Sequence, residues 1–152
     1  VTTIYLASSW RNEAQPHVLS VLRRAGHAVY DFRNPDDSWT SPKQGDDSGG
    51  FRWSDIDPQW ESWDPQSYAN ALDTDIAQHG FLRDYEAMEH AKVGVLLLPS
   101  GRSAHLEAGY FAGRRPEKRL HILAPQLPEP ELMYLMADYL HLTLGSLLAE
   151  LD

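Results

Sequence analysis

The chain has 152 residues, a usual size for one domain, and carries 13 Lys and Arg against 22 Asp and Glu, a formal net charge of −9. That acidity repels phosphate backbones and excludes a general nucleic-acid binder, while 42% hydrophobic residues with 5 Trp, 7 Tyr and 4 Phe exclude disorder over most of the length. With no Cys there is no disulfide, thiolate zinc site or Cys nucleophile, and the longest apolar run, Val93–Leu98, is far short of the ~20 residues that span a bilayer. The opening Val1-Thr2-Thr3 shows no charged segment of a secretory leader. The expectation is one domain over residues 1–152, soluble and cytoplasmic, with no membrane association.

Residues 3–7, Thr-Ile-Tyr-Leu-Ala, predict a short strand buried on both faces. Ser8–Arg11 reads as a loop. Asn12 and Gln15 have capping-box spacing, and Val18, Leu19, Leu22 and Ala25 form a helical stripe that Gly26 stops. His27–Phe32 reads as a second strand, completing a βαβ unit. Residues 34–66 change character. Four of the five Trp (39, 53, 60 and 63) lie there among Pro, Asp, Ser and Gly, without a period. Such a stretch predicts a functional loop or lid. The pattern is helical from Ser67 to Ala91, with Gly80 as the expected break between two helices. Val93–Leu98 is the strongest strand signal and Pro99 ends it. Ser100–Ser103 turns the chain, and Ala104–Arg114 reads as a helix. Leu120–Ala124 predicts a strand, the Pro-rich 125–130 a connection, and Leu132–Ala137 a short helix. Tyr139–Leu142 predicts an edge strand, and Thr143 caps a closing helix to Leu151. This alternation predicts an α/β fold: a doubly wound, five-stranded parallel sheet with helices on both faces.

In open sheets of this kind, ligands bind beyond the carboxyl ends of the strands, where strand order reverses. Two segments hold such positions: Ser8-Ser9-Trp10-Arg11, and Ser100-Gly101-Arg102-Ser103-Ala104-His105-Leu106-Glu107. The second is a small-residue turn feeding a helix N-terminus, where free N–H groups and the helix dipole favour an anion. Glu107, about one turn in, is either an ionised nucleophile or a side chain that merely complements the dipole. Asp84, near Asp75, reads on its own as part of a solvated acidic face. Tyr5, inside the first strand, needs a buried partner for its hydroxyl, a carboxylate over the sheet edge or a backbone carbonyl. The seven His show no metal-ligand spacing, so no metal is expected; His105 is near enough to the second segment to contact a ligand. Arg114–Arg119 reads as closing a helix C-terminus. Arg11 and Arg102, with Ser8, Ser9 and Ser103, are candidates for holding a phosphate; the commoner use of such an Arg is a solvated surface pair. The Trp cluster stacks a base or pins its own loop, and pinning is the commoner use.

Ile4-Tyr5-Leu6-Ala7-Ser8-Ser9-Trp10 and the run from Leu98-Pro99-Ser100-Gly101 to Glu107-Ala108-Gly109-Tyr110 resemble the nucleoside 2-deoxyribosyltransferase family, and the order of elements extends the resemblance over most of the chain. The resemblance implies a flavodoxin-like (Rossmann-like) sheet and attack at an N-glycosidic bond. It places the nucleophile at Glu107, the Tyr that orients it at Tyr5, and the Asp that contacts the base or assists proton transfer at Asp84. Substrate contacts fall on Ser8, Ser9, Trp10, Arg11, Ser100, Gly101, Arg102, Ser103 and His105. It further implies a small-molecule nucleoside or nucleotide as partner and no cofactor. A homo-oligomer is also implied, completed near Glu131-Leu132-Met133-Tyr134, a stretch whose composition by itself is more often core. The chain departs from the family in three places. The first loop lacks a glycine many relatives carry, Lys92 stands where Asp is common, and the Trp-rich stretch is longer than expected.

The expected function is therefore cleavage or transfer at the N-glycosidic bond of a nucleoside or its 5′-monophosphate, through a covalent glycosyl-Glu107 intermediate. A 5′-phosphorylated substrate is favoured. Two rivals stand beside it. One is a phosphoribohydrolase of the lysine-decarboxylase-like type, whose double-glycine loop this chain lacks; the other is a nucleotide-binding or sensing module without turnover.

Overall fold

Side chains of strand β1 (Thr3–Ala7) alternate between two apolar layers: Ile4 and Leu6 join one core, Tyr5 and Ala7 the other. The computed structural model, which describes residues 1–126 and 129–151, builds a five-stranded, fully parallel sheet around this strand. The order is β2 (Ala28–Tyr30), β1, β3 (Val93–Leu97), β4 (Arg119–Leu123), β5 (Tyr139–His141). Helices α1 (Gln15–Arg24) and α5 (Leu144–Glu150) bury Val18, Leu19, Leu22 and Leu147 against the Ile4 side. On the Tyr5 side, α3 (Asp75–His90) and α4 (Arg102–Ala112) bury Ala87, Met88, Ala104, Ala108 and Phe111. The short α2 (Pro65–Leu72) packs against α3. This is the doubly wound architecture expected from the sequence. The second residue of β3 is Gly94, where a Cβ would lie within 3.0 Å of the Phe111 ring; glycine is what lets that fully buried ring close on the strand.

Several boundaries differ from expectation, each for a local reason. Asn12 does not cap α1; the N-cap is Ala14, with Pro16 in the first turn. Instead Asn12 Oδ1 accepts from Ala14 N–H at 2.9 Å and its Nδ2 donates to Pro99 O at 3.0 Å, tying together the loops that follow β1 and β3. The break between α2 and α3 falls at Asp73–Thr74 and not at Gly80. The Asp64 and Thr74 side chains accept from the N–H of Ser67 and Ala77, and such caps offset a helix-interior glycine, which costs about 1 kcal/mol. Gly80 gives room to Phe51, 3.1 Å from where a Cβ would sit. β2 is shorter than predicted because Asp31 turns out of the ladder, and α4 starts at Arg102, two residues early.

Leu132–Met136 is a 3₁₀ turn whose Leu132, Met133 and Leu135 are exposed rather than core. Thr143 caps α5 as expected, accepting from Ser146 N–H at 3.1 Å. The basic stretch 114–119 does close a helix, but not the one before it. Lys118 Nζ reaches back to the carbonyls of Met88, Glu89 and Ala91 at the end of α3, where a cation opposes the helix dipole. Of the Pro-rich connection, Leu127 and Pro128 lie outside the described residues, as does Asp152.

The tryptophan-rich segment divides into two parts. Early on, Val29 N–H donates to Trp39 O at 2.8 Å, so the segment runs along the outer side of β2 and satisfies an edge strand. The Trp39 ring packs 5.5 Å from that of Tyr30. This is the pinning use of an aromatic. Further along, the chain makes two 3₁₀ turns, Trp53–Asp55 and Trp60–Ser62, and brings Phe51 and Trp53 toward the ends of β1 and β3.

Candidate functional site

Strand order reverses between β1 and β3, so the loops leaving their carboxyl ends diverge and leave a crevice. A cleft of about 540 Å³ opens there, within the range of small-molecule sites. Ser8, Ser9, Trp10 and Arg11 from the β1 loop form one rim. Gly101, Arg102, Ser103 and Ala104 at the start of α4 form another. Phe32, Phe51 and Trp53 supply an aromatic side, and Asp84 and Glu107 supply two acids.

The acids are held by a pair of phenols. Tyr5 and Tyr30 are register partners on adjacent strands, with rings stacked 5.4 Å apart. Tyr5 Oη donates to Glu107 Oε2, and Tyr30 Oη donates to Asp84 Oδ1 at 2.8 Å. Of the two partners open to Tyr5 from sequence, the carboxylate is the one found. Asp84 is half-buried on the cleft wall, so it does not belong to a solvated acidic face.

Burial governs the protonation of all four groups. Glu107 is pushed up to about 7, mainly by desolvation, with Asp84 raising it further and the Tyr5 hydrogen bond pulling it down. This reverses the expectation of a helix-stabilised anion. Glu107 lies beyond the first turn of α4, where the dipole has faded and desolvation dominates. Asp84 is also raised by burial, against the lowering effects of Tyr30 and Arg83. Tyr5 and Tyr30 are raised by burial and by the acids they face, so both remain donors. The arrangement offers two electrostatically coupled carboxyl groups, both raised by burial and each held by a phenol donor.

Not every residue singled out from the sequence faces the cleft. Ser8, Ser9, Trp10, Arg11, Gly101, Arg102 and Ser103 line it. Ser100 does not; its Oγ is buried without a partner. His105 turns away, with Nδ1 donating to Gly101 O at 2.8 Å and Nε2 accepting from Tyr134 Oη at 2.9 Å. Being four residues from Gly101, it reaches back over its own helix turn instead of into the opening. Sequence reasoning missed Tyr30, Phe32 and Phe51. A signal for Tyr30 existed, since each of the first two strands carries one Tyr. Among the described residues, no cluster of three or more His, Asp or Glu is arranged to hold a metal ion.

No family model matches the chain, and no curated protein does. Among solved structures, a 2-deoxyribosyltransferase from the psychrotolerant bacterium Bacillus psychrosaccharolyticus superposes with a TM-score of 0.56 at 19% identity, over 95% of this chain and 88% of that one. The resemblance first read from Ile4–Trp10 and Leu98–Tyr110 thus extends to three dimensions: this chain has the fold of that 2-deoxyribosyltransferase.

Proposed function

We propose that the chain is an enzyme acting at the N-glycosidic bond of a nucleoside or nucleoside 5′-monophosphate, with Glu107 as nucleophile. The observation that carries this reading is the Tyr5–Glu107 pair on the wall of a cleft that also holds the Tyr30–Asp84 pair. The structural neighbour is a deoxyribosyltransferase described as a biocatalyst for nucleoside synthesis, which agrees with that chemistry.

In the proposed first step, an ionised Glu107 oxygen bonds to the sugar C1′ as the C1′–N bond breaks. The electron pair leaves with the base, which is protonated by Asp84 or by a water molecule that Asp84 holds. The Tyr5 hydroxyl keeps the attacking carboxylate oriented and lowers its proton affinity. In the second step, water or another base attacks C1′, the ester to Glu107 breaks, and Asp84 takes up the proton released. Water gives hydrolysis, a base gives transfer. Arg11, Arg102, Ser9 and Ser103, with the free N–H groups opening α4, suit a 5′-phosphate on the sugar. Trp10, Phe51 and Trp53 suit the flat face of a base.

The exposed Leu132, Met133 and Leu135 suit a contact with a second copy of the chain beside the site. A monomer in light scattering ends that part. The central test is Glu107→Ala assayed for base release on a panel of nucleosides and their 5′-monophosphates, beside the native chain. Loss of release, with a sugar adduct on Glu107 in native protein by mass spectrometry, is expected; native-level release by the variant ends the proposal. Equal rates with and without the phosphate end the preference for a 5′-monophosphate.

A further inference from the structure

Directly after β2 come Asp31, Arg33 and Asn34, three polar residues only 1%, 6% and 5% exposed. Burying such groups is costly unless they are hydrogen bonded, and their bonds run to one another and to the chain segments on either side. Asp31 Oδ1 accepts from Gln15 Nε2 and from Arg33 N–H, each at 3.0 Å, and its Oδ2 accepts from Asn34 Nδ2 at 2.9 Å. Arg33 Nη2 donates to three carbonyls of the β1 loop: Ser9 at 3.1 Å, Trp10 at 2.9 Å and Asn12 at 3.0 Å. Asn34 reaches the other way, with Nδ2 donating to Asp47 Oδ1 at 3.0 Å and Oδ1 accepting from Asp47 N–H at 2.7 Å.

One cluster thus grips both the first rim of the cleft and the stretch of chain leading to Phe51 and Trp53. The two meet at Gly50, where a Cβ would lie 2.7 Å from both Phe32 O and the Trp10 ring. Trp10 is further clamped by two guanidinium groups, Arg33 at 5.4 Å and Arg52 at 4.2 Å from the ring centroid. The Arg33 side-chain bonds run to backbone carbonyls and to neither acid.

We propose that Arg33 is a positioning residue that, anchored by Asp31, holds the Ser9–Trp10 rim at a fixed distance from the Gly50–Trp53 rim, which Asn34 tethers through Asp47, and so sets affinity for the base-bearing half of the substrate. This rests on reading the cleft as the substrate site. Because the acids hang from other elements, the contribution falls on binding and leaves the bond-breaking step alone. A Lys at this position does not replace Arg: its shorter stem stops short of where Nη2 meets the three carbonyls, and an ammonium lacks the planar face that lies over Trp10.

The test compares Arg33→Met, Arg33→Lys and Asn34→Ala with the native chain. Kinetics on the four 2′-deoxynucleoside 5′-monophosphates are paired with amide hydrogen exchange. For both Arg33 variants KM is expected to rise roughly tenfold or more, with kcat within about threefold of native. Exchange should quicken at Ser9–Asn12 while Ile4–Ala7 and Val93–Leu97 keep native protection. Asn34→Ala should quicken exchange around residues 45–53 and leave Ser9–Asn12 as in the native chain. Native exchange at Ser9–Asn12 in the Arg33 variants overturns the proposal. So does a fall in kcat matching the rise in KM, or strands that exchange faster too, since either marks a structural role. Should the native chain release no base from these four nucleotides or from any member of the wider panel of nucleosides and 5′-monophosphates, the functional reading fails separately. Exchange then decides alone: quickening confined to Ser9–Asn12 upholds the positioning role, and its absence overturns it.

Discussion

Two regions of this sheet bury titratable side chains in direct contact, and they differ in what surrounds them. At the β1/β3 end, Tyr5–Glu107 and Tyr30–Asp84 face an open cleft, and each carboxyl has further acceptor capacity. At the β4/β5 end, His121 Nδ1 lies 2.9 Å from His141 Nε2, and His141 Nδ1 lies 2.8 Å from Ser146 Oγ. The two imidazoles stack at 5.2 Å, and Tyr139 stacks on His121 at 4.9 Å. That cluster is satisfied from within and buries both imidazoles. Buried polarity on its own does not mark a reactive site. What separates the regions is spare hydrogen-bonding capacity beside a space large enough for a ligand.

The sharpest way to break this comparison is Glu107→Gln. Base release is expected to fall at least about a thousandfold, as the nucleophile is removed without changing shape. The same variant should be more stable than the native chain at pH 8. Glu107 is raised to about 7 when folded, so its favourable contribution is complete below its unfolded value, near 4.5, and is lost as pH rises through 7. The gain at pH 8 is on the order of 2 to 3 kcal/mol and should vanish by pH 4.5, read by urea denaturation. A variant that is both inactive and less stable at pH 8 would place Glu107 among the structural groups.

Next in size is Tyr5→Phe. Without its donor Glu107 holds its proton more tightly, so the acid limb of kcat/KM, expected near pH 7 in the native chain, should move upward by about one unit. The rate at pH 7 should drop roughly tenfold. An unmoved limb would separate the phenol from the acid.

The histidine cluster should respond in stability alone. His121 is lowered to about 4, by burial first and His141 second, so its contribution is intact above 6.5 and is lost as pH falls through 4. The loss across that window is on the order of 2 to 3 kcal/mol, and His121→Phe should flatten it while sparing base release. A change in kcat in that variant would erase the distinction between the two regions. Smallest of all, Ser146→Ala should cost about 1 kcal/mol or less at neutral pH, the value of one partly buried hydrogen bond, with no kinetic change.

Much of the scaffold was legible along the chain because strand and helix periods are local. The five strands, the Thr143 cap and the two apolar faces of β1 all follow from spacing and residue type. The need of Tyr5 for a buried partner was equally readable, since a phenol inside a strand must find one. Contacts joining distant residues were not legible. Asp84 looked like surface acid because its partner Tyr30 is 54 positions away. His121 and His141, 20 apart, gave no sign of touching. Arg33 carries no signal of its own in the sequence, because its acceptors are carbonyls of the β1 loop 21 to 24 positions back. His105 misled in the opposite sense, because nearness in sequence to Ser103 and Glu107 said nothing of which way a helical side chain points.

The carbonyl of Trp39 on the N–H of Val29 carries a consequence for anyone redesigning this scaffold. It occupies a margin of the sheet that would otherwise present an unpaired backbone to solvent. Trimming the tryptophan-rich stretch to widen the opening for bulkier ligands would peel that cover away in the same stroke. Shortened versions should therefore stick to one another through β2, unless the cut begins beyond Ser41, whose carbonyl is itself tethered by Arg23.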